Sequence, residues 1–192
     1  EVYGIGASEE LIGEYQKDRG YNFIIATKGG MVIGGRRGEN DNSGPALRKA
    51  LEGSMKRLKV DYLELYYIHR RDWSIEIEEV TQTLAKFKEE GKIGGFGFSE
   101  ISPSSLRRAH AVHPVTAIQN EYSLWTRYPE LGMLQTCKEL GVTFLPFSPL
   151  GRGMLADTIP NPNEFLETDF RKNQPRFMEP NFSANCRIIS GF

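Results

Sequence analysis

The sequence predicts an α/β fold in which parallel strands alternate with helices, and three observations support this prediction. Short β-rich apolar runs recur from residue 21 onward, and longer segments with apolar residues at helical spacing separate them. The apolar runs are nearly continuous, which is typical of strands buried on both faces of a parallel sheet. Polar or glycine-containing loops join the segments within a few residues. Right-handed βαβ units repeated in this way form either an open doubly wound sheet or a closed barrel, and periodicity alone does not choose between them.

Five strands and five helices are predicted in alternation. The predicted strands are 22–27, 62–68, 94–99, 117–121 and 142–147, and the predicted helices are 8–18, 45–58, 75–89, 104–110 and 131–140. In the first helix Ser8 is the expected N-cap, and Leu11 and Ile12 are expected to face the core. The expected core faces of the next two helices consist of Leu47, Leu51, Leu58, Val80, Leu84 and Phe87. A long loop is predicted over 157–176, because that segment has no clear periodicity.

Composition predicts one globular domain covering residues 1–192. The 24 Lys and Arg residues nearly balance the 25 Asp and Glu residues, which argues against a nucleic-acid partner or an anionic membrane surface. No apolar run approaches the roughly 20 residues that a membrane-spanning helix needs. The two cysteines, Cys137 and Cys186, belong to no metal-binding pattern, so neither a metal site nor a disulfide framework is predicted. These observations together favour a soluble, cytoplasmic protein.

Polar side chains follow the predicted strands at their carboxyl ends, where parallel α/β barrels build their active sites. Lys28 follows the first strand and His69 the second, Ser99 and Gln119 end the third and fourth, and Ser148 follows the fifth. A single lysine or histidine at a strand end is more often a solvated or structural residue. The recurrence at consecutive strand ends instead predicts a shared site, in which a cation near a tyrosine would favour proton donation by the phenol.

Five segments of the sequence carry a resemblance to a known family. They are EVYG at 1–4 followed by SEELIG at 8–13, TK at 27–28, LKVDYLELYYIH at 58–69, GKIGGFGFS at 91–99 and FSPLGRG at 147–153. Together they resemble the aldo-keto reductase family over residues 1–153, and the stretches 110–117 and 121–127 look most similar to its perakine-reductase-like branch. The resemblance implies a (β/α)₈ TIM barrel and the NADPH-dependent reduction of small aldehydes or ketones to alcohols.

The resemblance also implies residue roles. Tyr3 would protonate the carbonyl oxygen, Lys28 would make that phenol a better proton donor, and His69 would orient and polarise the carbonyl group. The implied cofactor contacts are Ser99 and Gln119 at the nicotinamide carboxamide, Phe147 stacked on the ring, and Ser148, Leu150, Gly151 and Arg152 at the pyrophosphate. Trp125 is expected to line the substrate pocket.

Relative to the family pattern, the chain is expected to be truncated at both ends, so that its barrel is incomplete. The first strands, the last strand and helix, and the segment that holds the adenosine 2′-phosphate would lie outside it, and the family's catalytic aspartate would precede Glu1. Many relatives have Ser-Asn where this chain has Ser99-Glu100. Two alternatives stay open: a truncated, catalytically inactive product, and a cofactor-sensing regulatory subunit, against which His69 argues. The sequence leaves the substrate, the choice of NADPH over NADH and the oligomeric state undefined.

Overall fold

Five strands form one sheet in the computed structural model, which describes residues 3–20, 23–36 and 38–191. The strands are β1 (Ala26–Gly29), β2 (Leu63–Ile68), β3 (Ile93–Ser99), β4 (Ala117–Glu121) and β5 (Thr143–Phe147), in the order β1-β2-β3-β4-β5. The pairs β1–β2, β2–β3 and β3–β4 are parallel. A doubly wound sheet reverses its strand order at a switch point, whereas a (β/α)₈ barrel places each strand beside the preceding one. The sequential order therefore confirms the predicted barrel class, here with five of its strands.

Helices alternate with the strands as predicted, with small shifts at their ends. They are α1 (Ala7–Arg19), α2 (Gly44–Leu58), α3 (Ile77–Glu89), α4 (Pro103–Val112), α5 (Met133–Leu140) and α6 (Asn181–Ile189). The sequence did not predict α6. The predicted loop over 157–176 contains short 3₁₀ turns at Pro162–Glu164, Phe170–Asn173 and Pro175–Phe177. Within the described ranges, no helix combines the length and the apolar character that crossing a membrane requires.

The chain divides into two compact units. The first comprises Glu1–Asn120 and Glu130–Leu145, and the second comprises Glu121–Pro129 and Pro146–Phe192. The six core residues predicted for α2 and α3 are buried in the first unit, which confirms those two helix faces. In the second unit the Phe177 ring lies 5.3 Å from the Phe165 ring and 6.4 Å from the Phe182 ring, measured between centroids. The single domain predicted for residues 1–192 stays a prediction.

The first strand lies later in the chain than predicted. It spans Ala26–Gly29 rather than 22–27, and Asn22 falls outside the described residues. Ile24 is 87% exposed, and the backbone amide of Ile25 donates a hydrogen bond to the Glu64 carboxylate at 2.9 Å. Because the Ile25 amide bonds to a side chain instead of to the β2 backbone, regular pairing with β2 begins only at Ala26. The apolar run was therefore a correct sign of a strand but a poor guide to its start.

The predicted orientation of the first helix was wrong. Leu11 is 69% exposed and Ile12 is 37% exposed, while Glu9 and Gly13 are the buried positions. The N-cap is Gly6 rather than Ser8. The reason is the close approach of α1 to α2, because a Cβ atom on Gly13 would lie 2.4 Å from the backbone oxygen of Arg57. Only a glycine fits at this contact, so the buried side of α1 is small and polar rather than apolar.

We expect Gly13→Ala to destabilise the protein by about 1–3 kcal/mol, because the added methyl group meets the α2 backbone, which cannot rotate away. Helix propensity alone predicts the opposite, a gain of about 1 kcal/mol. Urea unfolding measures the difference. The matched control is Gly44→Ala, whose new Cβ would meet only the Thr83 side chain at 3.4 Å. A Gly13→Ala protein as stable as the wild type would contradict the close helix contact.

Candidate active site

Parallel pairing of β1 with β2 places Lys28 and His69 at the same edge of the sheet. The register sets Lys28 opposite Tyr67 and Gly29 opposite Ile68. The next residue along β2, His69, donates its backbone N–H to the Gly29 carbonyl at 2.9 Å. The lysine and the histidine therefore leave neighbouring strands at the carboxyl edge, as the sequence predicted.

Tyr3 completes a cluster with these two residues. Its phenol oxygen accepts a hydrogen bond from Lys28 Nζ at 3.4 Å, and its ring centroid lies 5.7 Å from that of His69. Tyr3 is 54% exposed, so its hydroxyl stays accessible to a small molecule. The residue begins a 3₁₀ turn, Tyr3–Gly6, in which Gly4 and Ile5 both have positive φ angles before α1 starts. The structure thus brings together the three residues that were predicted to be catalytic.

The imidazole of His69 lies in a buried, positively charged environment. The residue is 9% exposed, and burial lowers its pKa to about 4, with further lowering by the positive charges of Arg70 and Lys28. The ring is therefore neutral at pH 7. A neutral imidazole carries one N–H donor and one acceptor nitrogen, so it can donate one hydrogen bond to a carbonyl oxygen.

A second tyrosine, Tyr67, is buried beside Lys28. The Lys28 ammonium lies 5.9 Å from the Tyr67 ring centroid, and the ring is 1% exposed. Burial raises the pKa of Tyr67 to about 12, so this phenol does not ionise near neutral pH. The ring fits because β3 carries Gly97 beside it, where a Cβ atom would lie 2.6 Å from the Tyr67 ring. Tyr67 therefore supports the lysine, while Tyr3 is the tyrosine open to solvent.

The two residues predicted to contact a carboxamide, Ser99 and Gln119, are register partners on β3 and β4. Ser99 is buried and its hydroxyl accepts a hydrogen bond from Arg70 at 3.1 Å, while Gln119 is half-buried. Hydroxyl and amide groups both donate and accept hydrogen bonds, as a carboxamide requires. Glu100, which follows Ser99, has a φ of 58°, a left-handed conformation that Asn adopts more readily than Glu. The departure from Ser-Asn therefore places a residue that adopts this backbone conformation less readily at position 100.

Sequence analysis missed a buried amide that ties the loops after β1 and β2 together. Asn42 is 1% exposed, and its Nδ2 donates to the backbone oxygens of Gly30 at 3.4 Å and Arg70 at 3.2 Å. Its Oδ1 accepts the backbone N–H of Asp72 at 2.8 Å. These bonds hold the loop that starts at His69. No sequence signal marks Asn42, because it stands in an ordinary polar loop before the helix cap Ser43.

The remaining predicted cofactor residues lie in the second unit, where Phe147 ends β5 and a tight turn follows. The Ser148 carbonyl accepts the Gly151 N–H at 2.9 Å, and the Leu150 carbonyl accepts the Gly153 N–H at 3.0 Å. Ser148, Gly151 and Arg152 all have positive φ angles. For Ser148 and Arg152, which are not glycines, this conformation is strained, and strained backbone clusters at ligand sites. Trp125, the predicted substrate contact, is half-buried in the same unit.

A cleft of about 510 Å³ opens beside this turn, within the second unit. It is lined by Ser148, Arg152, Leu166, Thr168, Asp169, Phe170 and Arg171, and the Asp169 carboxylate pairs with Arg171 at 2.7 Å. The Glu121 carboxylate holds Arg152 at 2.9 Å, which fixes that guanidinium at the wall of the cleft. The hydroxyl groups of Ser148 and Thr168 can donate to a phosphate group, whereas the guanidinium groups of Arg152 and Arg171 are already paired with Glu121 and Asp169. Sequence analysis missed Thr168 and Arg171, which stand in the segment predicted only as a long loop.

Comparison with known proteins identifies the family of this chain. The family model described as "Aldo/keto reductase family" matches residues 1–189. The chain belongs to the aldo/keto reductase family. An aldo-keto reductase of Schizosaccharomyces pombe whose name specifies NADP(+) is 40% identical over 99% of this chain and 58% of its own length. A probable aldo-keto reductase of Glycine max is 42% identical over 98% of this chain and 55% of its own length.

Solved structures of aldo/keto reductases share the fold. A glycerol dehydrogenase of Gluconobacter oxydans superposes on the whole chain with a TM-score of 0.86 and 30% identity, over 60% of its own length. An aldo/keto reductase of Klebsiella pneumoniae, determined with NADP and acetate, superposes on 81% of the chain with a TM-score of 0.65 and 25% identity, over 53% of its own length. The chain therefore spans between half and two thirds of these relatives.

We expect the pH dependence of stability to reveal the neutral His69. Its folded pKa of about 4 lies below the ordinary value of 6.5, so between these pH values the unfolded state binds more protons. The contribution of His69 to the free energy of unfolding should therefore fall as the pH drops from 6.5 towards 4, by about 3 kcal/mol, and this contribution should level off below that range. Urea unfolding across this pH range measures the change.

The matched variant is His69→Gln, which should lose this component of the pH dependence whatever its stability at pH 7. An NMR titration of the His69 ring, assigned with the same variant, gives the pKa directly. A midpoint near 6.5 would contradict the effects of burial and neighbouring charge described above.

Proposed function

We propose that this aldo/keto reductase chain carries the catalytic residues of an NADPH-dependent carbonyl reductase, which converts small aldehydes or ketones to alcohols. The observation that carries the proposal is the cluster of Tyr3, Lys28 and His69. An accessible phenol lies within hydrogen-bonding distance of an ammonium group and beside a neutral imidazole. This combination suits proton transfer to an oxygen that gains negative charge.

Each residue has one task in the proposed reaction. Tyr3 donates its phenolic proton to the carbonyl oxygen. The negative charge left on the Tyr3 oxygen strengthens the hydrogen bond from Lys28, 3.4 Å away. His69 donates its single N–H to the carbonyl oxygen, which orients the substrate and polarises its C=O bond. Hydride addition to the carbon and proton addition to the oxygen together give the alcohol.

NADPH would supply the hydride when bound, and the described residues offer suitable groups for it. Ser99 and Gln119, adjacent in register, match the hydrogen-bonding needs of the nicotinamide carboxamide. Within the second unit, the cleft beside Ser148 and Arg152 presents donors for a pyrophosphate. The NADP(+) in the name of the Schizosaccharomyces pombe relative and the NADP in the structure of the Klebsiella pneumoniae protein support NADP(H) as the cofactor. We further propose membership of the perakine-reductase-like branch.

The first test is NADPH binding by the purified protein, followed through the fluorescence of the reduced cofactor, with NADH for comparison. Tight NADPH binding together with NADPH-dependent reduction in a screen of aldehydes and ketones supports the proposal. A folded protein that binds neither cofactor would refute it and would favour the non-catalytic alternative.

We expect Tyr3→Phe to lower kcat for carbonyl reduction by about 10²- to 10⁴-fold, since it removes the proton donor. The Kd for NADPH should stay unchanged, because the proposed cofactor contacts are elsewhere. Tyr15→Phe is the matched control, as it removes the hydroxyl of a solvent-exposed tyrosine on α1. Equal kcat values for Tyr3→Phe and the wild type would rule out Tyr3 as the acid.

A further inference from the structure

Within the first unit, helix α1 packs against its neighbours through an unusual stripe of residues. Its buried positions are Glu9 and Gly13, and the N-cap residue Gly6 is buried as well; the three lie at helical spacing. A Cβ atom on Gly6 would lie 2.8 Å from the Arg57 side chain, and Gly13 contacts the α2 backbone. The only ionisable group in this described stripe is the carboxylate of Glu9, which is 5% exposed. Burying a charge is costly unless it is paired, so its partners have to be identified.

The Glu9 carboxylate joins three elements. One oxygen accepts the Thr27 hydroxyl proton at 2.5 Å, and the other accepts Arg57 Nε–H at 2.7 Å. Thr27 lies on β1 and is 8% exposed, and Arg57 lies in the last turn of α2. Arg57 also donates to the Ser54 hydroxyl at 3.3 Å. The carboxylate therefore links α1, β1 and α2 by directional, charge-assisted hydrogen bonds, which are stronger than neutral ones.

The electrostatics agree with an ionised carboxylate at this position. Burial by itself raises the pKa of Glu9, but hydrogen bonds from Thr27, Arg57 and Ser54 outweigh burial, so the pKa lies below its ordinary value. The guanidinium of Arg57 supplies the compensating positive charge. The network is thus a fixed polar anchor inside an otherwise close helix contact.

The anchor stands directly beside the proposed proton-transfer pair. Thr27 precedes Lys28 on β1, and Glu9 lies in the first turn of α1, to which the Tyr3 turn leads without an intervening loop. Tyr3 lies in a 3₁₀ turn and in none of the five described strands, so the register of those strands does not fix its distance from Lys28. We propose that Glu9 is a positioning residue: its bond to Thr27 sets the separation of the Tyr3 hydroxyl and the Lys28 ammonium. This inference rests on the proposed function for its kinetic consequence, but not for its geometry.

The decisive variant is Thr27→Val in the natural protein, because valine has nearly the same shape and removes only the hydroxyl. We expect kcat for carbonyl reduction to fall by about 10- to 100-fold, since small displacements of catalytic groups have effects of this size. The KM for the carbonyl compound and the Kd for NADPH should change less than threefold. Thr27→Ser keeps the hydroxyl and should restore kcat. Glu9→Gln should behave like Thr27→Val, and Glu10→Gln, at the adjacent exposed position, should behave like the wild type.

A spectroscopic measurement tests the geometry without any assay of activity. In protein labelled with ¹³C at the tyrosine Cζ atoms, the Tyr3 signal, assigned with Tyr3→Phe, reports the hydrogen bonding of its oxygen. We expect Thr27→Val to shift this signal and Thr27→Ser and Glu10→Gln to leave it unchanged.

The outcomes separate the two proposals. A Tyr3 signal that does not move in folded Thr27→Val overturns the positioning role, as does an unchanged kcat in a wild-type-active enzyme. A wild-type protein that lacks reductase activity refutes the proposed function, and the Tyr3 signal then decides the positioning role alone. If Glu9→Gln does not fold, the two Thr27 variants still give the answer.

Discussion

Backbone hydrogen bonding between parallel strands is the constraint on which the rest of the site depends. Because β1, β2 and β3 pair in parallel and in sequential order, their carboxyl ends meet at one edge of the sheet. Strand pairing alone therefore places Lys28, His69 and Ser99 at that edge of the sheet. The side chains between them only have to fill the space, as Tyr67 does against Gly97. The positions of these three residues should therefore withstand substitutions in the helices, provided that the strands keep their register.

Tyr3 obeys a different constraint, because it lies on a turn outside the sheet. Its position depends on left-handed residues before α1 and on the contact between α1 and α2. Here the side-chain hydrogen bonds of Glu9, rather than backbone hydrogen bonds between strands, hold the segment in place. A single substitution can remove each of these side-chain bonds. The geometry of Tyr3 is therefore the part of the proposed machinery most sensitive to sequence, while that of Lys28 and His69 is the most robust.

This difference also explains how far the sequence predicts the structure. Residues placed by strand ends, such as Lys28, were found from hydrophobic runs alone, because the period of a buried strand is visible in sequence. Glu9 and Asn42 were missed because their partners lie far along the chain and on other elements. Leu11 and Ile12 gave a wrong prediction, since an apolar pair normally marks the buried side of a helix. The fold class and the strand-end cluster were thus predictable from the sequence, whereas the polar contacts that orient the clustered side chains became visible only in the structure.

The electrostatics of the cluster favour one proton source over the other. With a pKa of about 4, His69 is protonated in only about one molecule in a thousand at pH 7. A protonated ring would also be a third positive charge beside Lys28 and Arg70. Burial and charge therefore keep the His69 ring neutral, so that it can donate a hydrogen bond but does not carry the extra proton that an acid catalyst transfers. In the proposed reaction the accessible phenol of Tyr3 donates the proton, and the positive charge of the Lys28 ammonium stabilises the negative charge left on the phenol oxygen.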